Sequence, residues 1–331
     1  MPALRCAPRP IRRASTEASL PCRPPIPGGF TRTGRFLQEA LRRNYLALVG
    51  FGNAHLRTCS RVEAKEERDR SPEMGPVADV ASRLAASGCV AADEEAAELM
   101  TVAAGDPARL ESLVTRRSRG EPLAWVVGSM AFCGIRLTVH TGVYVPRPQT
   151  EALARRAAAL LPEEAIAVDL CTGAGAIARV LQAESPSAVV LATDADPAAV
   201  ACARENGVDA LLGHLDEPLP PTLLGAVDVI TAVVPYVPTD QLPFLPRDVT
   251  AFEPRVALDG GEGGLSMLTS VVARTVRWLR PGGWLLLELG GDQAVHVARQ
   301  MAAAGFVDTA VLRDEEGDDR AIEGRRPGGR E

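Results

Sequence analysis

The stretch AVDLCTGAGAIARVL (167–181) limits what this chain can fold into more than any other part of it. Residues 167–170 read as a buried strand, Gly173 and Gly175 as a turn, and the remainder as a helix. Glycines let the backbone approach a ligand closely, and the start of the helix presents free N–H groups. Asp169 falls at the carboxyl end of the strand, where ligands bind in open α/β sheets. Alone, such a turn serves nucleotide binding and plain packing equally well. The next strand, however, ends in ATDAD (192–196). Asp194 is thereby placed about 20 residues beyond the turn, where an acidic side chain accepts both ribose hydroxyls. The two signals together point to a nucleoside ligand. NAD suits G-x-G-x-x-G, which the run Gly173-Ala-Gly175-Ala-Ile-Ala178 matches imperfectly. S-adenosylmethionine has no pyrophosphate and tolerates a turn with fewer glycines.

Around this motif, residues 151–331 alternate strand and helix. The strands are IAVDL, AVVLATD, DALLG, VDVITAV and GGWLLLEL, with a closing pair around VDTAVLRD and RAIEG. Alternation of this kind predicts a mostly parallel, doubly wound α/β sheet. The short acidic turn EEGDD between the last two strands predicts an antiparallel hairpin at one edge. From Val77 to Arg119, apolar residues recur at three- and four-residue spacings (Val80, Leu84; Ala96, Leu99, Met100; Leu110, Leu113, Val114). Gly88 and the turn GDP (105–107) divide this part into two or three helices. Residues 121–148 change to short β-type runs broken by glycine and read as a hairpin linker. The expected organisation is a disordered or non-native extension (1–73), a helical domain (74–120), a β-hairpin linker (121–150) and a ligand-binding domain (151–331).

Charge separates these parts further. The formal charge of -6 is a sum over unlike regions. Residues 1–62 hold 11 Arg against Glu17 and Glu39, whereas 74–331 hold 22 basic and 35 acidic residues, a net of -13. An acidic body argues against a nucleic-acid footprint over its surface. The Pro- and Arg-rich residues 1–73 show no helical or strand period and end in the charge run EAKEERDR, so they read as disordered. Their Arg-rich, acid-poor start also fits an organelle presequence, and Met74 an alternative start. No apolar run reaches the roughly 18 residues that a bilayer span requires. Seven cysteines lie scattered without a C-x-x-C pair, and four histidines lie far apart. Reduced thiols in a cytoplasmic protein and no structural metal are therefore expected.

The sequence resembles the protein N5-glutamine methyltransferases that modify the GGQ loop of peptide-chain release factors, within the class I S-adenosylmethionine-dependent methyltransferases. The resemblance covers 74–331. It is carried by RGEPLAWVVG (119–128), FCGIRLTV (132–139) and VYVPRPQTEAL (143–153) in the linker. In the last domain it is carried by DLCTGAGAIA, ATDADPAAVACAREN, HLDEPL, VPYVPTDQLPFLPRDVTAFEPRVALDGGEGG and LRPGGWLLLELGGDQA. It implies a Rossmann-like seven-stranded sheet, S-adenosylmethionine as cofactor and a protein acceptor recognised by the helical domain; a monomer is expected. By the same resemblance, cofactor contacts fall on Asp169, Cys171, Thr172, Gly173, Ala174, Gly175, Asp194, Leu215 and Val233. Acceptor contacts fall on Val233, Val234, Pro235 and Tyr236 with Arg147, and Pro235 and Tyr236 are the catalytic pair.

The family pattern at the end of the fourth strand is N-P-P-Y, whose Asn and a following backbone carbonyl hold the glutamine amide. Here the chain reads VVPY, with Val233 at the Asn position and Val234 at the first Pro. A valine side chain makes no hydrogen bond, and losing such a contact costs about 1–3 kcal/mol where a buried polar group is left unpaired. Three readings follow: a diverged protein methyltransferase, a catalytically silent module that binds cofactor and a protein partner, and an N6-adenine methyltransferase. The acidic body disfavours the last. Among lesser departures, Cys171 replaces Gly in the turn, His214 replaces an acidic residue, and Gln149 replaces Glu. Asp216 reads either as a ligand of the adenine amino group or as a solvated loop carboxylate. Arg147 reads as a cofactor or substrate contact or as a linker salt bridge, and Glu288 as a cofactor contact or a cap. Trp125 and Phe132 are expected to pack the hairpin, and Asp259 and Glu262 to shape a loop beside the acceptor.

Overall fold

A computed structural model of the chain describes residues 76–328. The expectations for 1–73 lie outside the described residues.

Three helices come first: α1 (Pro76–Ala86), α2 (Ala92–Ala103) and α3 (Pro107–Ser118). Their apolar spacing has the predicted consequence. Val80, Leu84, Ala96, Leu99, Leu113, Val114 and Val126 form a core of their own. The GDP turn starts α3 because Asp106 accepts the N–H groups of Ala108 and Arg109, while Pro107, lacking an N–H, opens the helix. A largely buried ion pair from Arg117 to Glu95 (2.6 Å) ties α3 to α2.

The linker differs from its reading in one respect. LAWVV is a short helix, α4 (Leu123–Val127), rather than a β-type run, and only then come β1 (Ser129–Phe132) and β2 (Ile135–Thr138), paired antiparallel. Tertiary packing decides the helix: Trp125 is buried and its Nε1–H donates to the Val143 carbonyl at 2.9 Å. Phe132 is fully buried, as expected of it.

The remaining elements are α5 (Thr150–Leu160), β3 (Ile166–Leu170), α6 (Ala176–Glu184), β4 (Val189–Asp194), α7 (Pro197–Glu205), β5 (Asp209–Leu212) and β6 (Val227–Ala232), then α8 (Arg247–Phe252), α9 (Ser266–Thr275), β7 (Leu279–Glu288), α10 (Gln293–Ala303), β8 (Val307–Arg313) and β9 (Asp319–Arg325). The seven strands lie in the order β5-β4-β3-β6-β7-β9-β8, all parallel except β9, which runs antiparallel to both its neighbours. Strand periodicity divides the core in two. Ala167, Val229 and Leu286 face α5, α6 and α7, while Val168, Ile230 and Leu287 face α9 and α10. The sheet is thus covered on both faces, the doubly wound architecture expected from the alternation. Among the described residues, no helix is long and apolar enough to cross a membrane.

Strand order reverses between β3 and β6, since the chain leaves β3 toward β4 and β5 and returns to β6 on the other side. A crevice opens at such a reversal, above the carboxyl ends of the strands. The linker closes one side of it: Val139, Val143 and Val145 pack with Ala174, Ala199 and Cys202. Asn206 fastens the joint. Its Oδ1 accepts from the Thr138 N–H, and its Nδ2 donates to the carbonyls of Thr138 and Ala174, each at 2.8 Å. Each hydrogen bond is worth about 0.5–1.5 kcal/mol net, so Asn206→Leu is expected to lower stability by about 2–4 kcal/mol. Denaturant unfolding checks this, and an unchanged midpoint would show that the joint does not depend on Asn206.

Candidate active site

One cavity of about 670 Å³ fills the crevice. Its lining includes Asp169, Cys171, Thr172, Gly173, Ala174, Asp194, His214 and Leu215 from the β3–β5 side of the sequence, together with Val233–Val237, Arg147, Leu245, Val249, Leu258 and Asp259. Residues predicted for cofactor, Gly175 excepted, and for acceptor therefore share one continuous space.

The turn after β3 is built from within. Asp194, at the end of β4, accepts the Gly173 N–H and the Asp196 N–H, both at 2.9 Å. Gly173 adopts φ +56°, and a Cβ there would meet nothing within 4 Å, so its face toward the cavity is open. Gly175 is different. It does not line the cavity. At φ +83°, a Cβ would meet Val208 at 2.8 Å and Ala203 at 3.2 Å, so this glycine lets the turn pack against α7 and the loop after it. Cys171 and Leu215 hold left-handed conformations (φ +55° and +50°) and both line the cavity. Burial pushes the Cys171 thiol well up, which leaves it without thiolate character.

Asp169 lines the cavity floor, 2 % exposed, but its oxygens are engaged. Thr172 donates to Oδ2 at 2.6 Å and Thr231, on β6, donates to Oδ1 at 2.7 Å. Burial outweighs these bonds and pushes its carboxyl up to about 6. The residue fastens the turn to β6.

Asp216 is neither an adenine ligand nor a solvated carboxylate. It is 1 % exposed and does not line the cavity. Arg274, Arg277 (2.5 Å) and the Trp278 indole N–H (2.8 Å) converge on it. Burial alone would raise its carboxyl, but these donors hold it below the usual range. The salt bridge expected as one role of Arg147 is present, to the buried Glu253 at 2.5 Å, with the guanidinium 4.9 Å above the Tyr144 ring. Glu288 is 3 % exposed, does not line the cavity, and accepts from Thr150 Oγ1 (2.5 Å) and the Tyr236 hydroxyl (3.0 Å). Asp259 does line it and accepts from Thr239 and from the Gly261 N–H, shaping its loop as expected. Gln149 makes no cap to α5, and its Oε1 is buried without a partner among the described residues.

The sequence reading missed Tyr144, Glu253, Asn206 and Gln293. All four sit inside stretches that match the family, but each acts on a partner more than 30 residues away or on a ring stacked locally, so no spacing announces it.

Five aspartates line the cavity (Asp169, Asp194, Asp196, Asp248, Asp259); Asp259 is paired with Arg255, and the one lining arginine, Arg147, is paired with Glu253, so the remaining acids outweigh the basic groups. The space therefore favours a cationic ligand. S-adenosylmethionine, with its sulfonium, fits this charge, the open face at Gly173 and the carboxylate at Asp194. Among the described residues no group of three His, Cys, Asp or Glu is arranged to hold a metal ion.

A release factor glutamine methyltransferase from Geobacter sulfurreducens is 37% identical over 224 residues, 66% of this chain and 78% of that protein. One from Cereibacter sphaeroides is 37% identical over 268 residues, 74% of this chain and 95% of the relative. The chain belongs to the release factor glutamine methyltransferase family. It is accordingly an S-adenosylmethionine-dependent methyltransferase of class I fold. No protein-family model matches the chain. Among solved structures, the release-factor-specific protein-(glutamine-N5) methyltransferase of Alicyclobacillus acidocaldarius is 25% identical, with 55% of this chain and 94% of that one covered and a TM-score of 0.34.

Two outcomes are expected of a family member with this geometry. Asp194→Asn keeps one acceptor and loses the charge, so it weakens S-adenosylmethionine binding by about 10- to 100-fold, the equivalent of about 1–3 kcal/mol. Titration calorimetry checks it, and an unaltered affinity would remove Asp194 from the site. Asp169 gives a pH signature. Its folded pKa of about 6 lies above the unfolded value, so the unfolded chain ionises first as pH rises. Stability contributed by protonated Asp169 is full below about 4 and lost as pH rises through 6. The stability difference between Asp169→Asn and wild type should shift in the variant's favour between pH 4 and 7. A difference constant with pH would contradict the raised carboxyl.

Proposed function

We propose that this chain transfers the methyl group of S-adenosylmethionine to the side-chain nitrogen of a glutamine in a protein, with peptide-chain release factors as the acceptor class. The reading includes a cytoplasmic monomer, with α1–α3 recognising the protein acceptor and the cavity end at Val233–Tyr236 receiving the glutamine. The observation that carries it is the shared cavity: the Gly173 turn and the VVPY segment line the same 670 Å³. The relatives' names supply the acceptor class.

An amide nitrogen is a poor nucleophile because its lone pair is delocalised into the carbonyl. The cofactor, when bound, supplies a methyl group on a positive sulfur. The protein must do the rest: align the nitrogen with that methyl and accept its hydrogens so that electron density stays on nitrogen. Val233 cannot accept a hydrogen with its side chain. The backbone can: Val233 and Val234 both line the cavity, and each carries a carbonyl oxygen able to accept. Those two carbonyls hold the amide in this reading, the Tyr236 ring forms the wall beside it, and apolar Leu245, Val249 and Leu258 exclude water. Arg147 is held by Glu253 and Tyr144, so it shapes the acceptor end in place of pairing with a ligand carboxylate.

One observation favours a second reading. The Val233 side chain packs against the core of the α5–α7 face, as a buried strand end would in a protein that binds cofactor and a partner without transferring a methyl. Transfer of labelled methyl separates the two. Wild-type protein is expected to label a release factor, and Val233→Asn, which restores the side-chain acceptor, to raise kcat by about 10- to 100-fold. If no protein in a lysate lacking this gene takes up label, the silent module stands. Label appearing in nucleic acid would favour the adenine methyltransferase.

A further inference from the structure

Tyr236 is gripped from outside the cavity, at both of its polar ends. Its hydroxyl donates to Glu288 at 3.0 Å, and its carbonyl accepts from Gln293 Nε2 at 2.7 Å. Glu288 ends β7 and Gln293 begins α10, so both come from one short turn. Neither residue lines the cavity, and they are 3 % and 7 % exposed.

Each is itself fixed. The second oxygen of Glu288 accepts from Thr150 at the start of α5 (2.5 Å). Gln293 Oε1 accepts the Gly290 N–H (3.0 Å), and Nε2 also donates to the Gly263 carbonyl (3.0 Å). Between them lies Gly290, where a Cβ would come within 3.4 Å of the Tyr236 ring. On the other side, a Cβ at Gly264 would collide with the Tyr236 carbonyl and the Gln293 amide, and one at Gly260 would meet Tyr236 Cα at 2.8 Å. The loop 260–264 is pressed onto the backbone of Pro235 and Tyr236, and Gln293 stitches the two together.

We propose that Glu288 and Gln293 are positioning residues that fix the orientation of Tyr236, making its ring a rigid wall of the acceptor site. With its O–H donated to Glu288, the phenol has no proton to offer toward the cavity, only oxygen lone pairs and a ring face. Tyr236 then acts by shape and not as an acid. The clamp rests on the acceptor site read above, and it matters more in this chain than where a side-chain amide grips the substrate. With valine at 233, the geometry of the acceptor depends on the backbone of 233–236, which Gln293 holds, and on the ring, which Glu288 holds.

The test uses the full chain carrying 3-fluorotyrosine, whose three tyrosines give a fluorine spectrum in which Tyr236→Phe identifies the Tyr236 line. A single narrow Tyr236 line is expected in wild type. It should broaden or split in Glu288→Ala and in Gln293→Ala, and narrow again in Glu288→Gln, which keeps an acceptor for the hydroxyl. With a release factor as acceptor, both alanine variants should lose about tenfold or more in kcat while the S-adenosylmethionine Kd stays within about twofold. Glu288→Gln should recover most of the rate. In a Tyr236→Phe background, Glu288→Ala should cost nothing further, because the two act as one unit. A Tyr236 line unchanged by both alanine variants overturns the proposal, as does a rate loss that simply multiplies in the double variant. A line that broadens in both variants supports the clamp even if wild-type protein labels no release factor, an outcome that would fall on the acceptor assignment alone.

Discussion

The buried carboxylate of Asp169 joins the two sides of the crevice on which everything else depends. It stands on β3, takes one hydrogen bond from Thr172 in the following turn, and takes the other from Thr231 on β6. Those two strands flank the reversal of strand order, so the bond pair spans the point where the sheet would otherwise be joined only by its ladder. Burying the group is costly, which is why its carboxyl titrates near 6. The cost is met by fixing the turn that must present Gly173 to the cavity. A carboxylate of the same type on the next strand, Asp194, completes the fixation by holding the Gly173 N–H. Two acids with similar sequence settings thus do different work, one tying the turn to β6 and one holding it from the end of β4.

Much of the fold could be read from the chain because its periods are local. Strand boundaries from apolar runs agree with the structure to within a residue or so for β3 to β6, and the antiparallel edge follows from the EEGDD turn. β7 begins at Leu279, three residues before the GGWLLLEL run read as the strand, because Leu279 pairs with Val227 across an irregularity in the ladder. That is a property of the neighbouring strand, not of the local residues. The same holds for α4, whose residues favour strands as much as helices until Trp125 finds the Val143 carbonyl.

The lining of the cavity was legible to the extent that its residues stand at strand ends. Gly173, Asp194 and the VVPY segment stand at strand ends, and strand ends are predictable. Asp216 was misread because its partners lie about 60 residues on, on α9 and just after it, and a loop aspartate beside a predicted ligand has no local mark of being buried. Gly175 carries a packing role that the sequence did not announce. Its left-handed conformation suits a ligand turn, yet the pressure on it comes from Val208 and Ala203 behind. A glycine reports that something comes close without saying from which side.

On the proposed reading of the acceptor site, valine at 233 shifts the demand for precision onto the scaffold. A side-chain amide can adjust by rotating about its own bonds, whereas a backbone carbonyl goes only where the chain takes it. An acceptor site that relies on the carbonyls of 233 and 234 therefore needs the segment after β6 to be immobile. The segment is held from three directions: the glycines 260 and 264 of the facing loop pressed against it, Gln293 donating to it, and Glu288 holding the Tyr236 hydroxyl. Six glycines in the 260–264 and 290–291 turns, all but one of 260–264, make this close approach feasible, since any Cβ at 260 or 264 would strike the segment being held. Rigidity of the surroundings and plainness of the side chain are two halves of one arrangement, and a restored asparagine would relax the first requirement while leaving the second in place.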